Sequence, residues 1–156
     1  MPTIALTQEM GSLSPDVGQR LAEVAGLTLM RSEMVENVAG RMQVPPSLIR
    51  RLREGQAGFM ERRDVNRREL TLYTSEEIFA HAERGNVVLR GWGATCLLRP
   101  VQHVLRVRVT RPFDQRVAWL LESLGTDDRE AAEAEVRRSD AAHASRMNEQ
   151  FGVTWG

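Results

Sequence analysis

The 156-residue sequence contains no lysine, because all 21 of its Lys and Arg positions are arginine. This absence excludes a Schiff-base lysine, a lysine general base and the lysine with which a Walker-type phosphate loop reaches a nucleotide. The 21 acidic residues balance the arginines, so no net charge would hold the chain on nucleic acid or on an anionic membrane. Exclusive use of arginine is also what a GC-rich genome produces, so it need not reflect function.

Cysteine, aromatic residues and long apolar runs are also scarce. Cys96 is the only cysteine, which excludes an internal disulfide and a metal cluster built on cysteines. The three histidines share no metal-ligand spacing, so we expect no metal held by the protein alone. No segment approaches the roughly 18 apolar residues of a membrane span, and the N-terminus does not resemble a signal peptide. We therefore expect a single-domain cytoplasmic protein without a membrane partner.

Short β-branched segments alternate along the chain with segments of helical periodicity. Strands are predicted at residues 3–7, 27–30, 86–90 and 103–110. Helices are predicted at residues 15–25, 32–42, 47–53, 74–84, 112–124 and 127–150. Ser14 and Ser32 are expected N-caps, and Thr74 to Glu77 has the form of a capping box. Residues 54–69 are expected to form a mobile connection, and the charged last helix is expected to protrude from the domain.

This alternation predicts a parallel sheet with helices on both faces. In such sheets, ligands bind beyond the carboxyl ends of the strands. Three predicted loops meet at that edge, namely residues 8–14, 91–95 and 110–112. A functional site is expected there.

The order of several segments resembles the cytidylate kinase-like family of P-loop nucleoside monophosphate kinases. The matching segments are IALTQEMGS (4–12), ERGNVVLRGWGA (83–94), HVLRVRV (103–109), PFDQRV (112–117), Asp140 and FGVTW (151–155). The resemblance implies a three-layer α/β P-loop-kinase-like domain over residues 1–156, with a parallel sheet of strand order 2-3-1-4. It also implies a substrate-side helical insertion over roughly 46–75 and a lid-like helix over 126–150. The family usually continues past the tryptophan into a last strand, whereas this sequence stops at Gly156, so either the natural chain continues or the edge strand is supplied otherwise.

The family resemblance implies phosphoryl transfer from ATP, with Mg²⁺, to a nucleoside monophosphate such as CMP. It implies neither a nucleic-acid partner nor a particular catalytic residue, and it leaves a homo-oligomer open. The cofactor-binding residues implied are Gly11, Ser12, Ser14 and Asp16. The substrate- or phosphate-binding residues implied are Gly91, Trp92, Gly93, Arg116, Arg137, Arg138, Asp140 and Arg146.

The sequence departs from the family pattern where the chemistry is expected. The family's phosphate loop reads Gly-Ser-Gly-Gly-Arg-Glu, whereas this chain has Gly-Ser-Leu-Ser-Pro-Asp over residues 11–16. Leu13 therefore adds a side chain where backbone must approach phosphate, and Pro15 replaces the arginine that serves this family instead of a lysine. Trp92 replaces an arginine in the loop after the third strand, and His143 replaces one in the lid.

Two functional hypotheses remain open at this stage. The first is a kinase-like enzyme, and the second is a catalytically silent relative that senses nucleotide or associates with proteins. Each predicted site residue also has an ordinary interpretation: a capped turn for residues 11–16, packing for Trp92, a surface ion pair for Arg116, and solvated charge for the arginines of the last helix. His143 has no visible catalytic partner. The cluster Arg62, Arg63, Arg67 and Arg68 is interspersed with acids, which favours a solvated face or a subunit contact.

Overall fold

The computed structural model describes residues 1–30, 33–54 and 56–155. The described residues form the strands β1 (Thr3–Gln8), β2 (Thr28–Met30), β3 (Val87–Arg90) and β4 (Val104–Val109). They also form the helices α1 (Ser14–Ala25), α2 (Glu33–Met42), α3 (Pro46–Glu54), α4 (Phe59–Asp64), α5 (Arg67–Arg84), α6 (Ala94–Leu97), α7 (Phe113–Leu124) and α8 (Arg129–Phe151). None of these helices has the length and hydropathy to cross a membrane.

All strand pairs in the sheet are parallel, in the order β2-β3-β1-β4. The predicted fold class and strand order are therefore confirmed. Thr3 lies opposite Val87 on one side and Val104 on the other, so β1 is a central strand. The phosphate-loop candidate thus follows a strand that is hydrogen-bonded along both edges, which gives the loop a rigid base.

Alternate residues of β1 pack into different core clusters, because successive side chains of a strand point to opposite faces. Ala5 belongs to a cluster with Ile78 of α5, and Leu6 belongs to a cluster with Ala22 of α1. Both β1 residues are completely buried. Helices therefore cover both faces of the sheet, as the alternation of strands and helices predicts.

Residues 54–69, expected to be a mobile connection, are largely helical, and the predicted start of the next helix is wrong. Helix α5 begins at Arg67, where the side chain of Asn66 accepts hydrogen bonds from the amides of Arg68 and Glu69. Thr74 and Ser75 lie in the middle of that helix, and the Ser75 hydroxyl donates to the Thr71 carbonyl at 2.7 Å. A hydroxyl that bonds back within a helix looks the same in sequence as one that caps it.

The N-terminal ends of three other helices affect the surroundings of the site. Leu13, rather than Ser14, is the N-cap of α1, and it lies in the left-handed region with φ 60°. The expected cap Ser32 lies outside the described residues. The last helix is capped by Asp128, but it does not simply protrude, since Ala132 and Val136 are buried against Val117 of α7. Small alanine side chains allow this close packing even though the helix is highly charged.

Candidate functional site

A cavity of about 960 Å³ opens beyond the carboxyl ends of β1 and β3. One wall is the loop between β1 and α1, and another is the loop between β3 and α6. Helices α3 and α5 line one side, and the second half of α8 lines the other. This is the position at which parallel α/β sheets bind ligands, and the volume lies at the upper end of the range for small-molecule sites.

The loop between β1 and α1 is a tight turn held by its own hydrogen bonds. The Ser12 amide donates to the Glu9 carbonyl at 3.2 Å, and the Glu9 amide donates to the Ser12 hydroxyl at 3.3 Å. The amides of Asp16 and Val17 both donate to the Leu13 carbonyl. Ser12 is buried by these contacts, so its side chain closes the turn instead of lining the cavity.

Two residues of this loop have left-handed backbone conformations. Gly11 has φ 76°, and a Cβ at this position would lie 3.1 Å from the backbone of Arg116, so only glycine lets α7 pack this closely. Leu13 has φ 60° although it carries a Cβ, which costs on the order of 1 kcal/mol. Leu13 and Asp16 both line the cavity, whereas the structure does not describe the Ser14 side chain. Leu13 therefore has a backbone conformation that glycine adopts more readily.

Arg116 joins the loop to helix α8. Its guanidinium donates to the Met10 carbonyl at 2.7 Å and to the two carboxylate oxygens of Asp140 at 3.0 and 2.5 Å. Glu9 lies 3.7 Å away, and only 5% of the Arg116 side chain is exposed. The predicted residues Arg116 and Asp140 are therefore brought together, with the arginine behind the cavity wall and the aspartate on it.

A second arginine pairs with the same loop. Arg108, near the end of β4, donates to Glu9 at 2.7 Å and lies 4.6 Å from the centre of the Trp155 ring. The other neighbour of Trp155 is His143, whose ring meets the indole edge-on at 4.7 Å. His143 lines the cavity, and its Nε2 atom is buried without a hydrogen-bond partner among the described residues.

Burial lowers the pKa of His143 below its usual 6.5, and the charges of Arg146 and Arg108 lower it further, while Asp140 and Glu9 act in the opposite direction. A depressed histidine pKa means that the unfolded chain binds the proton more readily than the folded one. His143 should thus have no effect on the free energy of unfolding above about pH 6.5. As the pH falls from there towards the lower pKa of the folded state, His143 should reduce that free energy.

His143→Gln is accordingly expected to reduce the loss of stability as the pH falls below about 6.5. Urea unfolding at a series of pH values measures this slope. His103→Gln, at an exposed position just before β4, is the control for exchanging a histidine elsewhere in the chain. Equal slopes for the wild type and His143→Gln would show that His143 does not contribute to this pH dependence.

The loop after β3 has three consecutive residues with positive φ: Gly91 at 79°, Trp92 at 58° and Gly93 at 71°. A Cβ on Gly93 would lie 2.3 Å from the ring of Phe151, so glycine here lets the end of α8 approach the loop. The Trp92 side chain packs against two core clusters, and the guanidinium of Arg53 lies 5.0 Å from its ring centre. All three loop residues line the cavity, and Trp92 also joins the core to Arg53.

The three arginines predicted on the last helix occupy different surroundings. Arg146 lines the cavity and donates to the Arg53 carbonyl at 2.9 Å. Arg137 and Arg138 are 61% and 67% exposed, and they pair with Glu133 and Glu135 along the helix. Arg137 also lies over the Phe113 ring at 4.5 Å. The structure thus places Arg146 on the cavity wall and the other two on the surface of α8.

Several residues on the cavity wall were not singled out from the sequence, namely Glu9, Arg53, Arg90 and Arg108. Arg90 ends β3 and Arg108 lies one residue before the end of β4, so the rule that ligands bind at strand ends would have found both. Arg53 has no such signal, because it lies on α3 and meets the cavity only through the packing of that helix. No group of three or more potential metal ligands occurs in the described part of the chain.

Comparison with solved structures gives matches over nearly the whole chain. An uncharacterized protein from Eubacterium ventriosum matches with a TM-score of 0.71 and 18% identity, covering 100% of this chain and 81% of that one. A gluconokinase from Sinorhizobium meliloti has a TM-score of 0.53 and 14% identity, with 88% and 74% covered. A shikimate kinase from Acinetobacter baumannii, solved with shikimate, has a TM-score of 0.50 and 13% identity, with 97% and 79% covered. These matches show a shared kinase fold.

Sequence comparison is more specific about the family. No curated protein matches the sequence. The sequence profile of the cytidylate kinase-like family matches residues 3–156, which is nearly all of the chain.

Proposed function

The chain belongs to the cytidylate kinase-like family, and we propose that it binds ATP and a smaller acceptor side by side in the cavity at the ends of its strands. The proposed reaction is phosphoryl transfer from ATP to a nucleoside monophosphate such as CMP. The observation that carries this proposal is the loop between β1 and α1, which keeps left-handed residues at Gly11 and Leu13 in front of a helix. Turns of this kind present backbone amides to phosphate, and the helix start favours negative charge.

The donor side of the cavity would be the wall formed by residues 9–13 and Asp16. Phosphates bound there would face the loop backbone and the first turn of α1. Of the carboxylates lining the cavity, Glu9 and Asp140 are paired with arginines, whereas Asp16 has no arginine partner within the described part of the chain. Mg²⁺ is commonly held by one or two carboxylates together with substrate phosphates, so Asp16 is the residue that would hold it. When bound, Mg²⁺ would neutralise phosphate charge.

A catalytically silent nucleotide-binding protein is the second candidate. The observation that favours it is that Arg108 and Arg116, two of the arginines adjoining the phosphate loop, are already paired with Glu9 and Asp140. Stabilisation of a transferring phosphoryl group requires arginine or metal charge that is aimed at it. Pro15 at the position of the family's loop arginine removes a further source of that charge.

Thermal unfolding with nucleotides separates the two candidates. ATP with Mg²⁺ at 100 times its dissociation constant is expected to stabilise the protein by about 2.7 kcal/mol. Consumption of ATP on addition of CMP, dCMP or UMP would identify an enzyme, and stabilisation without turnover would identify the silent protein. Failure of every nucleotide to stabilise the chain would refute both.

The role of Asp16 can be tested in the same assay. Asp16→Asn is expected to reduce the stabilisation that depends on Mg²⁺ and to leave binding of ATP without Mg²⁺ unchanged or improved, because a negative charge facing the phosphates is removed. Asp127→Asn, at an exposed position before α8, is the matched control and should behave as the wild type. An unchanged Mg²⁺ dependence in Asp16→Asn would exclude Asp16 as the metal-binding carboxylate.

A further inference from the structure

Helix α5 carries large apolar side chains on its exposed surface. Leu72 and Phe79 are 53% and 43% exposed. They are seven residues apart in the helix, so they lie on the same face of it, about 10 Å apart along its axis. This face differs from the one that lines the cavity, which is formed by Leu70, Thr71, Thr74 and Ser75. The two exposed apolar residues are therefore separate from the candidate functional site.

Charged residues of opposite sign lie at the two ends of this face. Arg68 lies one turn before Leu72, and Glu83 lies one turn after Phe79, so both extend the same face of the helix. Arg68 and Glu83 are exposed, and neither has an ion-pair partner among the described residues. The face is thus positive at its start, apolar in its centre and negative at its end, over about 22 Å of helix.

This order of charges makes the face complementary to a second copy of itself. Residues 68 and 83 have the same midpoint as residues 72 and 79, between positions 75 and 76. A two-fold axis through that midpoint sets a second α5 antiparallel to the first and places Arg68 of one copy opposite Glu83 of the other. Leu72 of one copy faces Phe79 of the other in the same arrangement. Each contact then occurs twice, as in the isologous interface of a symmetric dimer.

The other charges of the chain also favour a second copy as the partner. The net charge is zero, so two copies do not repel each other over long distances. Glu76, the carboxylate of this face nearest to the axis, is paired with Arg41 of its own copy, so its charge is compensated where the two copies meet. We propose that this face of α5 is the interface of a dimer in which a two-fold axis passes beside Glu76.

The size of the face sets the expected affinity. A stable interface buries roughly 1,200 Å² or more in total, and one helix face on each copy buries less. The dimer is therefore expected to be weak, with a dissociation constant on the order of 10–100 µM. Sedimentation equilibrium of the full chain across this concentration range measures the association.

Charge reversal at either end of the face should weaken the dimer. Arg68→Glu and Glu83→Arg are each expected to raise the dissociation constant by about tenfold or more, because the symmetry turns two attractive contacts into two repulsive ones. Phe79→Ala should weaken the dimer by a similar factor, since apolar contact is lost from both copies.

Mixing the two charge variants in equal amounts is the sharpest test. Arg68→Glu leaves its copy with acidic residues at both ends of the face, and Glu83→Arg leaves its copy with basic residues at both ends. Each variant repels itself, whereas one copy of each restores two attractive contacts. The mixture is therefore expected to form a heterodimer with about the affinity of the wild-type dimer.

Matched controls reverse a charge on another helix. Arg20→Glu and Glu23→Arg each change one member of an exposed ion pair on α1, and both should dimerise as the wild type does. A wild-type chain that stays monomeric up to about 1 mM would overturn the proposal. It would equally be overturned by a dimer that neither α5 charge variant weakens, or by a mixture that associates no better than either variant alone.

Discussion

Replacing Arg116 with alanine is expected to lower the free energy of unfolding by roughly 3 kcal/mol, because a buried guanidinium and its hydrogen bonds to a carbonyl and a partly exposed carboxylate are lost. Arg116 is nearly inaccessible, and its guanidinium satisfies the Met10 carbonyl and the Asp140 carboxylate at once. Its removal leaves a carbonyl and a carboxylate without their donor and opens a void between the β1–α1 loop and α8. For a domain of this size, the melting temperature should fall by roughly 6 to 12 °C.

Urea unfolding at neutral pH measures this effect. Arg138→Ala is the matched control, because Arg138 forms an ion pair with Glu135 that is largely exposed and is expected to contribute less than about 0.5 kcal/mol. Arg116→Lys should fall between the two, because lysine keeps the charge but cannot donate to both carboxylate oxygens in a fixed plane. If Arg116→Ala were no less stable than Arg138→Ala, Arg116 would not be the residue that joins the loop to α8.

Restoring the family's loop with Leu13→Gly, Ser14→Gly and Pro15→Arg is expected to raise the affinity for ATP by about tenfold to a hundredfold. Leu13 already has φ 60°, so glycine fits the existing backbone and removes a side chain that lines the cavity. Exchanging Pro15 for arginine restores a backbone amide and adds a guanidinium near the expected phosphates. The gain should appear in both titration and nucleotide-dependent thermal stabilisation.

A double variant with Leu13→Gly and Ser14→Gly, but with Pro15 retained, separates the two contributions. It should show a smaller gain, because it opens the loop without adding charge. No rise in ATP affinity for the triple variant would mean that residues 11–16 do not form the phosphate site.

The strands were predictable because short sequence segments alone indicate them. Segments such as residues 3–7 and 86–90 are short, apolar and bounded by turn residues, and their alternation with helices restricts the sheet to few topologies. Helix boundaries between residues 54 and 84 were not predictable in the same way. Asn66 and Ser75 are both residue types that favour N-caps, yet Asn66 caps α5 whereas Ser75 lies inside it and bonds back to Thr71, and only packing decides between the two roles.

Some residues of the candidate site could also be predicted from the sequence, and others could not. Residues 11–13 and 91–93 were expected at the cavity because they follow strands, and the structure places them around it, with Ser12 buried within its turn. The sequence did not show which arginines of the last helix reach the cavity, since their spacing alone does not show which of them faces the sheet. Arg146 reaches the cavity and Arg138 the surface because α8 packs on α7 through Ala132 and Val136, which sets its rotation.

The amino-acid sequence by itself determined the alternating strands and helices, the loops at the ends of the strands and the absence of arginine from residues 11–16. These features depend on short segments whose periodicity, turn residues and motif order are visible without coordinates. Tertiary structure alone decided that Arg116 is bound to Asp140 and that Arg146 donates to the Arg53 carbonyl. These pairs join residues 24 and 93 positions apart, and such contacts arise only when helix packing sets the distance and direction of the side chains.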